Sequence, residues 1–129
     1  MKTHVALAAG AAALLALGAT AATAKSPPGA QRQCFWTRSA DGFAAADEHT
    51  LNVRVGVRDV YQFEMFGPCP DIDWNQRIAL VSRSGSTICT GMDAEVVTRS
   101  PIGPQRCPVR SVRKLTPEEI AALPRRAKP

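Results

Sequence analysis

Apolar and polar residues alternate with a period of two in the middle of the chain, a pattern typical of β-strands with one buried face. Between Thr50 and Val57 every second residue is apolar, and most of these residues are β-branched. Between Val60 and Phe66 the side chains of Tyr61, Phe63 and Met65 fall on one face, opposite two polar residues. The stretch between the two segments is short, so the pattern predicts an antiparallel hairpin.

Other short segments have strand character and are separated by turn-forming residues. They are Cys34–Arg38, Ile78–Val81, Thr87–Cys89, Ala94–Arg99 and Val109–Leu115. The unbroken apolar run Ile78–Val81 is typical of a strand that is buried on both faces. Val109 and Val112 are three positions apart rather than two, and this break in the alternation predicts a β-bulge.

Turn and capping residues define the segments between the strands. The polar and glycine residues of Ser39–His49 favour turns, with Phe43 as an apolar anchor between them. Asp71 is placed to cap a short helical turn over Ile72–Gln76. In that turn we expect Trp74 to close one end of the core.

Near the C-terminus the sequence predicts one short helix. Thr116 is the cap, Pro117 occupies the first helical position, and Glu119 completes a capping box. Pro124 ends the helix after about two turns. Six or seven short strands with turns every ~8–12 residues indicate a mainly all-β fold. We expect a small, partly open barrel or sandwich with a short C-terminal helix and two disulfides.

The first 24 residues have the three parts of a secretory signal peptide. They are a basic start at Lys2, an apolar run over Val5–Ala19, and small residues at Ala22 and Ala24. A membrane anchor is the alternative, but spanning a bilayer takes roughly 20 apolar residues. We predict cleavage near Ala24 and a periplasmic or secreted product. The predicted organisation is a signal peptide (1–24), a flexible leader (25–33), a disulfide-bonded β domain (34–123) and a solvated basic tail (124–129).

Four cysteines fall after the predicted cleavage site: Cys34, Cys69, Cys89 and Cys107. In a short exported chain they predict two disulfides. A zinc site is the alternative, but it usually needs closely spaced Cys or His ligands, which are absent from this sequence. Three pairings are open. We favour Cys34–Cys107 and Cys69–Cys89, because Cys34 opens the first predicted strand and Cys107 opens the last.

Four stretches together resemble a known family. They are Cys34-Phe35, Tyr61 with Gly67-Pro68-Cys69-Pro70-Asp71, Ile88-Cys89-x-Gly91-x-Asp93, and Cys107-Pro108-Val109 leading to Leu115-Thr116-Pro117-Glu118-Glu119. The chain is similar to an uncharacterised family of small exported proteins from Gram-negative bacteria, a domain of unknown function. The resemblance implies a periplasmic location and two disulfides, and it implies no activity. Lipoprotein relatives would carry an acylated Cys directly after the signal, and this chain has none there.

Residues for acid–base chemistry are few. The candidate pairs are Asp71 with Asp73, Asp47 with His49, and Asp93 with Glu95. Each is better explained as a turn or surface pair, although a small hydrolase that uses His49 is an alternative. Ser84 lacks the glycine context of a nucleophile elbow. We predict no catalytic, cofactor-binding or metal-binding residues and no cofactor, and hence that the protein is not an enzyme.

Positive charge is concentrated in the last quarter of the chain. Residues 25–98 carry seven basic and nine acidic groups, whereas residues 99–129 carry eight basic and two acidic groups. The residues predicted to contact an acidic envelope polymer or protein are Arg106, Arg110, Arg113 and Lys114. Nucleic acid is not an expected partner, because no aromatic residues are interleaved with the basic ones.

These observations predict a non-enzymatic periplasmic binding or structural module of unknown ligand. Its basic C-terminal third would contact the acidic envelope partner. The alternative is an inhibitor or accessory of a cell-envelope enzyme. The predicted mature chain has no transmembrane segment, and nothing in the sequence indicates an oligomeric state.

Overall fold

The computed structural model describes residues 32–91 and 93–129. The predicted signal peptide (1–24) and residues 25–31 of the predicted leader lie outside the described residues. The described part contains eight strands and one α-helix. These are β1 (Cys34–Trp36), β2 (Ala40–Asp47), β3 (Thr50–Val55), β4 (Asp59–Met65), β5 (Ala79–Ser82), β6 (Thr87–Cys89), β7 (Ala94–Ser100), β8 (Gly103–Lys114) and α1 (Pro117–Ala122).

Six strands form one antiparallel sheet in the order β2-β3-β4-β8-β7-β5. This sheet curves into a half-barrel, and β1 pairs with β6 in a separate small sheet. The mainly β fold with a short C-terminal helix and two disulfides, as predicted from the sequence, is confirmed. The predicted hairpin is β3–β4, in which Val53 pairs with Tyr61.

The longest strand, β8, joins the two halves of the sheet. Its first part pairs with β7 and its second part with β4. Met65 pairs with Val109 and Glu64 pairs with Ser111, so Arg110 is an extra residue on β8. The predicted bulge between Val109 and Val112 is therefore confirmed, and it lies where β8 changes its partner strand.

The inner face of the half-barrel carries the hydrophobic core. Leu51, Val53 and Phe63 from β3 and β4 are almost completely buried there. Phe35 of β1 packs against them, with its ring centroid 4.5 Å from that of Tyr61 and 6.4 Å from that of Phe63. Between β1 and β2 a 3-10 turn runs from Thr37 to Ser39. The amide of Thr37 donates to Ser86 in the β5–β6 turn, so the chain passes from the β5 side of the sheet to the β2 side.

The disulfides join Cys34 to Cys89 and Cys69 to Cys107. All four predicted cysteines are paired, but the favoured pairing of Cys34 with Cys107 and Cys69 with Cys89 is wrong. That pairing assumed that Cys107 opens the last strand, whereas β8 begins at Gly103 and holds Cys107 in its interior. Cys34 and Cys89 lie directly opposite each other on β1 and β6.

Beyond β8, the C-terminal segment lies against β2 and the outer face of β3. The predicted capping box is confirmed, because Thr116 and Glu119 each accept a hydrogen bond from the main-chain amide of the other. A 3-10 turn over Arg125–Ala127 follows α1, and Ala127 is completely buried. In the segment predicted as a solvated basic tail (124–129), Ala127 is thus an anchor on the sheet, while Arg125, Arg126 and Lys128 are exposed.

A chain of side-chain amides holds this segment in place. Asn52, on the outer face of β3, is fully buried and donates from Nδ2 to the carbonyl oxygen of Ala127 at 2.8 Å. Its Oδ1 accepts from Gln62 Nε2 at 3.2 Å, and Gln62 Oε1 accepts from Arg113 at 2.8 Å. A buried amide with its groups paired in this way fixes the position of the C-terminal segment.

In two segments the observed structure differs from the sequence prediction, because contacts with neighbouring strands determine it. Ala40–Asp47 forms the edge strand β2 rather than a series of turns. Its alanines favour strands weakly, but Phe43 and Ala45 pack against the core and its ladder to β3 stabilises it. Ala79–Ser82 is also an edge strand with one neighbour, and not a strand buried on both faces.

The segment after β4 is a turn rather than a short helix. Asp71 has φ 61°, in the left-handed region, and its main-chain oxygen accepts hydrogen bonds from Trp74 and Asn75. Trp74 is 82% exposed, so the prediction that it closes the core is wrong. Ile72 takes that place and is 1% exposed.

We expect Asn52→Ala to lower the free energy of unfolding by about 1–3 kcal/mol, because it leaves the buried oxygen of Ala127 and the Gln62 amide without a partner. Urea unfolding followed by circular dichroism measures the change. The matched control is Gln33→Ala, an exposed side chain whose loss should change stability by no more than about 0.5 kcal/mol. Equal stability of both variants would contradict a structural role for the amide chain.

Candidate functional site

The basic residues predicted to contact a partner are all ion-paired on β8. The pairs are Arg106 with Glu95 (3.0 Å), Arg110 with Glu64 (2.9 Å), Arg113 with Glu119 (2.8 Å) and Lys114 with Asp59 (2.8 Å). Arg113 lies opposite Gln62 on the outer face, whereas Lys114 lies opposite Tyr61 on the inner face. The structure therefore does not bring the four together as one patch of uncompensated positive charge.

Hydrogen bonds and burial shift the pKa of three groups in this region. The main-chain amide of Thr116, and then the Arg113 side chain, lower the pKa of the Glu119 carboxyl. A hydrogen bond to Asp59 raises the pKa of Lys114. Burial raises the pKa of the Tyr61 hydroxyl. Each shift has a structural cause, and none isolates an acid or base in a cavity.

The carboxylates of the candidate acid–base pairs accept hydrogen bonds that close turns, or form ion pairs between strands. Asp47 Oδ1 accepts the main-chain N–H of His49 at 2.8 Å and so closes the β2–β3 turn. Asp93 Oδ2 accepts from the Cys89 amide at 3.1 Å and from the Ser84 hydroxyl at 2.9 Å. Glu95 forms the ion pair with Arg106.

The third candidate pair, Asp71 with Asp73, lies in the exposed turn after β4. Ser84 lies in the β5–β6 turn and His49 in the β2–β3 turn, so they belong to different loops. Over residues 32–91 and 93–129, no three His, Cys, Asp or Glu side chains are grouped so that they could hold a metal ion.

A cleft of about 550 Å³ lies between the two edge strands, β2 and β5. Its apolar part is formed by Phe43 of β2, Val53 of β3, and Ile78 and Leu80 at β5. Phe43 and Val53 are cross-strand neighbours and pack against the core. The volume lies within the range of about 300–1,000 Å³ in which proteins hold small ligands.

Two arginines, Arg38 and Arg77, line the cleft. The guanidinium of Arg38 lies 5.0 Å from the ring centroid of Trp36, which supports it by a cation–π contact. The one carboxylate that lines the cleft, Asp41, is held by Arg54 at 2.8 Å. Among the described residues, neither Arg38 nor Arg77 has a carboxylate within ion-pair distance.

Apolar walls with two unpaired guanidinium groups suit a ligand that has an apolar part and a carboxylate or phosphate group. The sequence prediction missed this site. Arg38 and Arg77 are 39 positions apart, and only the half-barrel brings their segments together. The one local sign is that each arginine flanks a strand segment.

Comparison with known proteins identifies a family but no activity. The family of unknown function DUF6491 matches residues 1–128. Neither the search of curated proteins nor that of solved structures gives a significant match. No helix in the described part of the chain has the length and apolar character needed to cross a bilayer.

The lowered pKa of Glu119 makes the capping of helix α1 depend on pH. Because the Thr116 amide and Arg113 favour the carboxylate, its contribution to helix capping is present above the ordinary carboxyl pKa. It should be lost as the pH falls through the lowered value. We expect the Thr116 amide shift, followed by NMR, to titrate with a midpoint below the ordinary pKa of a glutamate side chain. Glu119→Gln should abolish that transition, and a midpoint at or above the ordinary value would contradict the arrangement.

Proposed function

This chain belongs to the DUF6491 family, and we propose that it is a non-enzymatic binding module that holds an acidic partner in the cleft between β2 and β5. The observation that carries the proposal is the contrast between two sets of basic residues. Arg38 and Arg77 line an apolar cleft without a carboxylate partner in the described residues, whereas the four basic residues of β8 are ion-paired.

Binding through β8, as expected from the sequence, would require a partner to compete with carboxylates already in place. Exposed ion pairs are each worth little, about 0–1 kcal/mol, so β8 remains able to exchange partners. The cleft has the advantage that its arginines need no such exchange and that apolar surface lies beside them. An acidic envelope polymer or protein would therefore bind in the cleft in preference to β8.

A binding role rather than a catalytic one is supported by what the candidate carboxylates do. Asp47 and Asp93 accept main-chain amides that define turns, and Glu95 pairs with Arg106. None of these residues lines the cleft. A site that binds without transforming its ligand is therefore the simplest function for this arrangement.

We also propose that the protein works outside the cytoplasm, in the periplasm or after secretion. Two disulfides in a small chain support this location, because the cytoplasm keeps most thiols reduced. N-terminal sequencing of the protein purified from its own cells should show a chain that begins after Ala24. Protein that begins at Met1 and carries four reduced thiols would contradict export.

The cleft is tested with a pair of small probes, octanoate and octylammonium, followed by NMR. Octanoate should shift the amide signals of β2, β5 and Thr37–Ser39, and octylammonium should not, since the cleft carries two guanidinium groups. Joint replacement by Arg38→Gln and Arg77→Gln should weaken octanoate binding about tenfold, the loss of ~1.4 kcal/mol. Two charge-assisted hydrogen bonds, discounted for solvent exposure, account for that loss.

The control is the double variant Arg125→Gln and Arg126→Gln, which removes two exposed charges outside the cleft and should bind octanoate normally. Octanoate shifts centred on β8, equal binding of both probes, or no binding up to about 10 mM would each overturn the cleft as the site.

An inhibitor or accessory of a cell-envelope enzyme is the second proposal, and a different surface supports it. Ile102 is completely exposed at the tip of the β7–β8 hairpin, between Pro101 and Pro104, which restrict the backbone. A stiff loop with a protruding apolar side chain suits insertion into another protein's cleft. An inhibitor of this kind would keep its potency against a cell-wall hydrolase when Arg38 and Arg77 are both replaced by glutamine.

A further inference from the structure

We infer that the cleft takes an extended acidic peptide segment, which adds to β5 as a further strand. The inference rests on the proposed function and names the class of ligand for the same site. Extended peptides bind exposed sheet edges through main-chain hydrogen bonds, and pockets for alternate side chains give specificity. The cleft between β2 and β5 offers both features.

Both edges that border the cleft lack a second neighbour. β2 and β5 are the end strands of the six-stranded sheet. Within residues 32–91 and 93–129, no main-chain hydrogen bond joins β2 or β5 to a segment across the cleft. Each edge therefore presents N–H and C=O groups that an added strand would pair with.

The two edges differ in how well they could accept a strand. β2 has register shifts between Ala40 and Gly42 and between Ala45 and Asp47, which interrupt its edge. β5 has a regular register with β7 over all four residues, and it contains no charge, proline or bulge. Proteins commonly use those devices to block edge strands, and β5 has none of them. The turn Thr37–Ser39 lies near β5, so an added strand would pass between β5 and this turn.

Charge at the two ends of β5 defines the chemistry of the added strand. Arg77 lies two positions before β5, and Arg83 directly follows it. Neither has a carboxylate partner among the described residues. Six residues of strand span about 20 Å, so a peptide with acidic residues six positions apart would place one near each arginine. Leu80 and Phe43 would contact its inward apolar side chains.

The same charges argue against a second copy of this chain as the occupant. If β5 paired antiparallel with β5 of another copy, Arg77 of one copy would lie near Arg83 of the other. Like charges opposite each other across a strand pair are destabilising. An acidic segment replaces that repulsion with attraction at both ends.

Calorimetry with matched peptides tests the inference. The probe is acetyl-Glu-Val-Thr-Val-Thr-Val-Glu-amide, compared with the same peptide carrying Lys at both ends. A third peptide keeps both Glu residues but has N-methyl groups on the amides along one edge of the extended peptide. A fourth has them along the opposite edge.

We expect the Glu peptide to bind at least about tenfold more tightly than the Lys peptide, and one of the two N-methylated peptides to bind at least about tenfold more weakly than the Glu peptide. Amide hydrogen exchange should slow at the one of Leu80 and Val81 whose N–H points away from β7 when the Glu peptide binds, whereas the other residue already faces β7.

Charge reversal of the protein provides the control. The double variant Arg77→Glu and Arg83→Glu should prefer the Lys peptide. Equal binding of both N-methylated peptides and the parent would overturn strand addition, and a Lys peptide that binds the native chain as well as the Glu peptide would overturn the acidic ligand. Dimerisation that protects β5 would make a second copy the occupant. Octanoate binding in the cleft together with no peptide binding would retain the proposed function and overturn this inference alone.

Discussion

The structure depends on one long strand that has two different neighbours. β8 pairs with β7 along its first half and with β4 along its second half, and the bulge at Arg110 lies within the β4 ladder, directly after its first pair, Met65 with Val109. Since β4 continues to β3 and β2, and β7 continues to β5, every strand of the large sheet is connected through β8. Cys107 also attaches the loop after β4 to β8 through its disulfide with Cys69.

A sheet that curves without closing leaves part of its core exposed and two of its strand edges unpaired. Phe35 of β1 covers part of the core, because its ring packs against Tyr61 and Phe63. The Cys34–Cys89 disulfide then fixes β1 to β6. Of the two unpaired edges, β2 is interrupted by register shifts, whereas β5 keeps a regular register. The cleft is the space that this incomplete closure leaves.

Local patterns predicted the parts of the fold that local physics determines. The period-two alternation of β3 and β4, the break between Val109 and Val112, and the capping box at Thr116 each need only neighbouring residues to be recognised. The disulfide pairing, by contrast, depends on β6 lying beside β1. The alanines of β2 form a strand because Phe43 packs on a core contributed by other strands. Asp71 adopts a left-handed conformation that its residue type permits but does not require.

The distribution of charge shows most clearly why the sequence did not predict the cleft. The excess of basic residues after position 98 is real, but β8 has a strand on each side. β7 supplies Glu95 to Arg106, and β4 supplies Asp59 to Lys114 and Glu64 to Arg110. An arginine beside an edge strand has no such neighbour on its open side. Arg77 is therefore left without a carboxylate by the same topology that leaves β5 without a second strand. A ligand that supplies an extended backbone together with a carboxylate would satisfy both at once.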